Sequence, residues 1–87
     1  MERLDGNAIA GELMEIFGVE MTIATSICGS CGATSAVAEL HVYAQAPGTV
    51  IRCAGCEQVQ MSIVRGRDRL WLDLRGVRTL TVPRPEA

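Results

Sequence analysis

Cys28-Gly29-Ser30-Cys31 and Cys53-Ala54-Gly55-Cys56 are the two stretches of sequence that decide the fold. Two residues between the cysteines of each pair let a tight turn, here called a knuckle, present both sulfurs to one metal ion. Twenty-one residues separate Cys31 from Cys53, which is enough for two strands and a turn that return the second knuckle to the first. Four thiolates form a closed tetrahedral site, so the pattern predicts a structural metal centre.

Zinc and iron both accept four thiolates, and the spacing of the cysteines does not choose between them. A rubredoxin-like iron site favours glycine after the second cysteine of each knuckle and a dense aromatic core. Gly32 fits the first knuckle, whereas Glu57 stands at the equivalent position of the second. The aromatic residues are few: Phe17, Tyr43 and Trp71. We therefore expect one Zn²⁺ per chain, with iron as the alternative.

Length and composition predict a single small domain. The chain has 87 residues, which we expect to form one domain over 1–87, and a core this small commonly needs a metal or disulfides to stay folded. The first residues lack a secretory signal, and no apolar run approaches the roughly 18–20 residues needed to span a bilayer. These features favour a cytoplasmic protein, where cysteine pairs more often bind metal than form disulfides.

Residues 5–18 predict one amphipathic helix, capped by Asp5 and ended by Gly18 in a left-handed conformation. The apolar positions on this helix face are Ile9, Leu13, Met14, Ile16 and Phe17. Together with Ala10 they span an arc of about 160°, wider than the roughly 100° that a single core contact requires. We therefore expect the helix face to bind a protein partner or a second copy of the chain.

Residues 19–82 predict the β region of a zinc ribbon. Strands are expected at 21–27, 36–45, 50–53, 58–65, 70–75 and 78–82. Alternation assigns shared faces to Met21, Ile23 and Ile27, to Leu40 and Val42, and to Val59, Met61 and Ile63. Gly66-Arg67-Asp68 predicts a hairpin turn, Gly76 ends the strand that follows, and residues 83–87 should fray. The expected fold is a small α+β zinc ribbon with an N-terminal helix, two knuckle-bearing hairpins in an antiparallel sheet and a C-terminal hairpin.

The charges are distributed unevenly along the chain. Residues 1–64 carry two arginines against seven acids, and residues 65–87 carry six arginines against three acids, for a net charge of −2. Arginines of a zinc ribbon can contact phosphates, but an acidic chain with few aromatics argues against nucleic acid. We expect a solvated hairpin in which Asp68 and Asp73 neutralise neighbouring arginines, with Trp71 covered by the helix or by another chain.

No catalytic constellation is present in the sequence. His41 is the only histidine, and the cysteines are committed to the metal, so no cysteine–histidine or serine–histidine pair has support. We expect His41 to occupy a surface or half-buried strand position and not to bind the metal. These features predict that the protein is not an enzyme.

Several stretches together resemble a family of short, uncharacterised zinc-ribbon proteins from actinobacteria. The matching stretches are Asp5-Gly6-Asn7-Ala8, Ala10-Gly11, Cys28-x-x-Cys31-Gly32, Ala38-Glu39-Leu40-His41-Val42-Tyr43, Ala46-Pro47-Gly48, Cys53-x-x-Cys56 and Trp71-Leu72-Asp73-Leu74-Arg75-Gly76. The resemblance implies the fold and the metal site but no activity. The leading expectation is a metal-stabilised protein-interaction or accessory module without catalysis. The alternatives are a rubredoxin-like one-electron carrier and a nucleic-acid-binding ribbon.

Overall fold

The computed structural model describes residues 3–45 and 47–84, with only the backbone of Gln45. Over these residues the chain is a small α+β protein with one short α-helix and antiparallel strands. The elements are β1 (Leu4–Asp5), α1 (Ala10–Phe17), β2 (Thr25–Cys28), β3 (Thr34–Ala36), β4 (His41–Gln45), β5 (Gly48–Arg52), β6 (Val59–Arg65), β7 (Leu70–Asp73) and β8 (Val77–Thr81). None of the described helices is long and apolar enough to cross a membrane.

The strands form two sheets, and each sheet carries one knuckle. The larger sheet has the order β1-β4-β5-β6-β7, and the smaller has the order β3-β2-β8. The first knuckle connects β2 to β3, while the second connects β5 to β6. The metal-binding sequences therefore lie at the ends of two hairpins from different sheets.

One apolar core lies between α1 and the larger sheet. Its buried residues are Ile9, Leu13, Met21, Ala24, Val37, Leu40, Val42, Ile51, Met61 and Ile63. Ile16 and Phe17 of α1 pack against this core, whereas Met14 is 43% exposed. Most of the predicted helix face thus has its contact inside the chain, and Met14 is the member of that face that stays open to solvent.

The helix is shorter than predicted because its first turn is tightened. Gly6–Ile9 form a 3₁₀ turn in which the Asp5 carboxylate accepts a hydrogen bond from the Asn7 N–H at 3.1 Å, so the predicted cap is present on this turn. A Cβ on Gly6 would lie 2.0 Å from the Val37 carbonyl oxygen, which shows how closely this turn approaches the neighbouring backbone. At the other end Gly18 adopts φ 74°, as predicted.

Two of the predicted strands are interrupted by 3₁₀ turns. Met21–Ile23 form such a turn, so Met21 is buried while Ile23 is 61% exposed, and the shared face predicted for them was wrong. Residues 36–45 are divided by a turn at Val37–Glu39, where the Glu39 carboxylate accepts a hydrogen bond from the Ala36 N–H at 3.0 Å. In both places a local side-chain cap competes with extended backbone.

The face predicted for β6 is wrong at its first residue. Met61 and Ile63 are buried, but Val59 is 40% exposed and Gln60 is 1% exposed. The pairing of β5 with β6 shifts register between Ile51 and Arg52, and this irregularity turns Gln60 inward. The hairpin of β6 and β7 forms as predicted, whereas β8 leaves it to pair with β2. Of the tail predicted to fray, residues 85–87 lie outside the described part.

Candidate metal centre

The four cysteines converge on one point between the two sheets. Their Sγ atoms all lie within 4.8 Å of one another. Cys28 Sγ is 3.7 Å from Cys56 Sγ, and Cys31 Sγ is 3.7 Å from Cys53 Sγ. A tetrahedron with metal–sulfur bonds of about 2.3 Å has edges of about 3.8 Å. These two pairs therefore have the spacing that a four-coordinate thiolate site requires, and all four cysteines are free thiols.

The two knuckles have the same backbone geometry. In the first, the Gly32 N–H donates to the Cys28 carbonyl at 3.0 Å; in the second, the Glu57 N–H donates to the Cys53 carbonyl at 3.0 Å. The residue after the second cysteine is left-handed in both, with φ 77° at Gly32 and φ 64° at Glu57. The absence of glycine at position 57 therefore does not prevent the left-handed turn, contrary to the sequence argument used against a rubredoxin-like knuckle.

Backbone N–H groups in both knuckles point at the sulfurs. Ser30 N–H donates to Cys28 Sγ at 3.3 Å, Cys31 N–H to the same sulfur at 3.4 Å, and Gly55 N–H to Cys53 Sγ at 3.3 Å. Hydrogen bonds to a thiolate favour the charged form that binds metal. The short C-x-x-C loops thus preorganise the ligands and stabilise their charge.

The N–H groups and burial divide the thiols by acidity. The Cys31 N–H, with that of Ser30 and the side chain of Gln60, lowers the pKa of Cys28 to about 6 despite burial. The Gln58 N–H lowers the pKa of Cys56, but burial and the other three thiols outweigh it and raise that pKa to about 11. The thiols thus oppose joint ionisation, and a bound cation is what would hold all four as thiolates.

A cluster of three side chains holds Glu57 in its left-handed conformation. His41 Nδ1 bonds to Glu57 Oε2, and the Tyr43 hydroxyl donates to Glu57 Oε1 at 3.0 Å. Arg52 donates to the Glu57 carbonyl at 2.8 Å. The hydrogen bond from His41 is the largest influence that lowers the pKa of Glu57. His41 is thus a half-buried strand residue, as predicted, and it contacts the second knuckle through Glu57.

Two further residues that shape the site, Gln60 and Gly76, were not predicted from the sequence pattern. Gln60 donates from Nε2 to Cys28 Sγ at 3.3 Å, so β6 of one sheet contacts a ligand from the other. Gly76 accepts a hydrogen bond from the Gly29 N–H at 2.9 Å and donates to the Gln60 carbonyl at 3.2 Å. The regular alternation of 58–65 conceals the register shift that turns Gln60 inward. The pairing of His41 and Tyr43 two residues apart on one strand was a detectable signal.

The arginine-rich hairpin is largely paired with carboxylates. Arg69 bonds to Asp68 at 3.2 Å, and Arg75 makes a two-pronged contact with Asp73 at 2.9 and 2.7 Å. Arg65 pairs with Glu12 of α1. Asp68 and Asp73 therefore are local partners of arginines, as predicted. Trp71 is 55% exposed, so the helix of the same chain does not cover it.

Comparison with known proteins assigns a family but no activity. A family model described as a family of unknown function, DUF6510, matches residues 1–85, and the chain therefore belongs to that family. The searches of curated proteins and of solved structures gave no match.

Proposed function

We propose that this member of DUF6510 is a cytoplasmic protein-interaction or accessory module that folds around one structural zinc ion and has no catalysis of its own. The observation that carries the proposal is the convergence of four sulfurs within 4.8 Å at the ends of two hairpins. A centre with four protein ligands leaves no coordination position for substrate or water. The donor set therefore suits an ion that stabilises the fold and does not take part in a reaction.

The free energy of metal binding also supports a structural role for the ion. The knuckles belong to separate sheets, and contacts between them run through Gln60, which bonds to Cys28 Sγ, and through Gly76, which bonds to the backbone of Gly29 and Gln60. Structural zinc contributes on the order of 10–16 kcal/mol in zinc-finger peptides, comparable with or larger than the net stability of a typical domain. Binding one ion at this junction would thus stabilise the packing of one sheet on the other.

We prefer zinc to iron because the chain has few aromatic residues, whereas a rubredoxin-like iron site favours a dense aromatic core. Thiolate ligands and tetrahedral geometry suit both ions, and the left-handed Glu57 makes the second knuckle compatible with either. A specific observation keeps the one-electron carrier as the second candidate: Cys31 is exposed, and backbone N–H groups surround the sulfurs. Exposure of a ligand and hydrogen bonds to sulfur are the features that tune an iron–thiolate potential.

The decisive experiment measures metal content and folding on the same samples. Protein purified from its native host should be colourless and contain one zinc per chain by elemental analysis. Cys53→Ser should lose the ion and cooperative unfolding together, because Cys53 is buried at the junction. Ser30→Ala is the matched control, since it lies in a knuckle but offers its backbone and not its side chain to the sulfur.

Two results would contradict the proposal. A Cys53→Ser variant that unfolds cooperatively at the wild-type midpoint without metal would show that the ion is not structural. Stoichiometric iron in native material, with a reversible one-electron couple, would establish the electron carrier instead.

A further inference from the structure

β7 is the edge strand of the larger sheet, and its apolar side chains are open to solvent. It pairs with β6 on one side, and within residues 3–45 and 47–84 no strand pairs with its other side. Its three apolar residues are exposed on both faces of the sheet: Leu70 by 41%, Trp71 by 55% and Leu72 by 36%. Natural edge strands are usually protected by charges, proline, bulges or a covering element. The centre of β7 carries none of these.

The backbone of β7 also offers hydrogen bonds at this edge. The hairpin turn is closed by the Gly66 N–H donating to the Arg69 carbonyl at 2.7 Å. Hydrogen-bonded and non-bonded pairs alternate along an antiparallel ladder. The N–H and C=O groups of Leu70 and Leu72 therefore face away from β6, toward solvent. A second strand placed there would find both donors and acceptors.

We infer that β7 is a dimerisation strand, whose partner is β7 of a second copy of this chain paired antiparallel about a two-fold axis. The basis is self-complementarity. A two-fold axis perpendicular to the sheet sets one residue of the strand opposite its own copy. If that residue is Trp71, then Leu70 lies opposite the partner's Leu72, and Arg69 lies opposite the partner's Asp73. Apolar side chains then meet apolar ones, and opposite charges face each other at both ends.

Neighbouring registers are less complementary. An axis at Leu72 would set Arg69 against the partner's Arg75 and Trp71 against the partner's Asp73. An axis at Leu70 would set Trp71 against the partner's Arg69 and Leu72 against the partner's Asp68. Cross-strand pairs of opposite charge and of apolar side chains stabilise a sheet, while like charges opposite each other destabilise it. The Trp71-centred register is therefore the one selected.

This inference rests on the proposed interaction role, for which it names the partner, but it does not depend on which metal is bound. The proposed dimer also accounts for the exposure of Trp71. A Cβ on Gly66 would lie 2.7 Å from the Trp71 ring, so the indole packs over the hairpin turn on one side and leaves its other side exposed. In the dimer that exposed side meets its symmetry mate across the axis.

The test exchanges charges at the two ends of the strand. Sedimentation velocity of the metal-loaded full chain should show a dimer for the wild type. Arg69→Asp and Asp73→Arg should each raise the dimer dissociation constant at least about tenfold, since each sets like charges against each other twice by symmetry. An equimolar mixture of the two variants should restore the dimer, because the opposed charges are again complementary. Arg78→Asp, an equal charge change on β8, should leave association unchanged.

Each outcome has a defined meaning. A wild-type monomer at all concentrations, or variants that dimerise like the wild type, would overturn the inference. Leu70→Lys provides a second disruption that leaves the ion pairs of Asp73 intact, should Asp73→Arg fail to fold. Metal content measured on the same samples separates the two proposals. A monomer that retains its metal would refute only the β7 dimer, whereas a folded dimer without metal would refute only the structural role of the ion.

Discussion

Replacing Gly76 with alanine should damage both the stability of the chain and its metal centre. A Cβ at this position would lie 1.8 Å from the Val59 carbonyl oxygen, and real Cβ atoms essentially never approach closer than 3.0 Å. The strand β6 and the segment before β8 must therefore separate until this distance grows from 1.8 Å to at least 3.0 Å. Both atoms in this contact belong to backbone, so no flexible side chain can absorb the shift.

Because Gly76 must shift relative to β6, its two backbone hydrogen bonds, which connect β6 to the first knuckle, are strained. The Gly76 N–H donates to the Gln60 carbonyl at 3.2 Å, and the Gly29 N–H of the first knuckle donates to the Gly76 carbonyl at 2.9 Å. Losing a backbone hydrogen bond and leaving its groups without partners costs about 1–3 kcal/mol. We expect Gly76→Ala to lower the free energy of unfolding by about 2–4 kcal/mol. Zinc affinity should fall at least about tenfold, because the spacing of the sulfurs changes.

Urea unfolding in a zinc-buffered solution measures the first effect, and competition with a chromophoric chelator measures the second. Gly11→Ala is the matched control, since a Cβ there meets nothing within 4 Å and the residue lies inside α1. That variant should gain about 0.5–1 kcal/mol through helix propensity. If Gly76→Ala unfolds within about 0.5 kcal/mol of the wild type and keeps its zinc affinity, then this contact does not couple the two knuckles.

Three other predictions test separate features of the chain. Glu57→Gly should keep its zinc and unfold at a higher urea concentration than Glu57→Ala. Both variants lose the bonds to His41 and Tyr43, but only glycine adopts φ 64° without strain. Equal unfolding midpoints would show that the left-handed turn is not strained. Leu13→Ala should cost about 2–5 kcal/mol, since Leu13 is completely buried, and a smaller loss in urea unfolding would mean that α1 packs loosely. Binding to DNA or RNA at physiological salt should be negligible by fluorescence anisotropy; micromolar binding that weakens steeply with salt and is lost without Arg67 and Arg69 would refute this.

The two knuckles were predictable because each one depends on local sequence. Each C-x-x-C loop specifies its own tight turn, and the turn needs only a residue able to be left-handed after it. The hairpin at 66–68 and the helix end at Gly18 were predictable for the same reason, since Gly18 adopts φ 74°. Features that depend on a few adjacent residues can be predicted from those residues alone.

The burial predicted for β6 was wrong because it depends on how this strand pairs with its neighbour. The alternation of Val59, Met61 and Ile63 is regular in sequence, yet the register shift opposite Arg52 moves Val59 outward and Gln60 inward. Nothing within β6 records that shift. The arc of α1 was compared with a single flat contact, whereas the helix packs into a core that includes residues of all three 3₁₀ turns and of the sheet; the partner expected for this helix face stays a prediction. Hydrophobic periodicity gives the direction of a face but not the shape of the surface that covers it.

Glu57 is a residue whose local conformation depends on contacts with other strands. Glutamate at a left-handed position opposes local preference, and the sequence alone gives no reason for it. In the structure its carboxylate bonds to His41 and Tyr43 of β4, and its carbonyl accepts from Arg52 of β5. A glycine would relax the turn and keep the hydrogen bond from Arg52 to the carbonyl, but it could not bind His41 and Tyr43 of β4. Glu57, although it is not a glycine, adopts a left-handed conformation and thereby joins the metal centre to the larger sheet, whose far edge is β7.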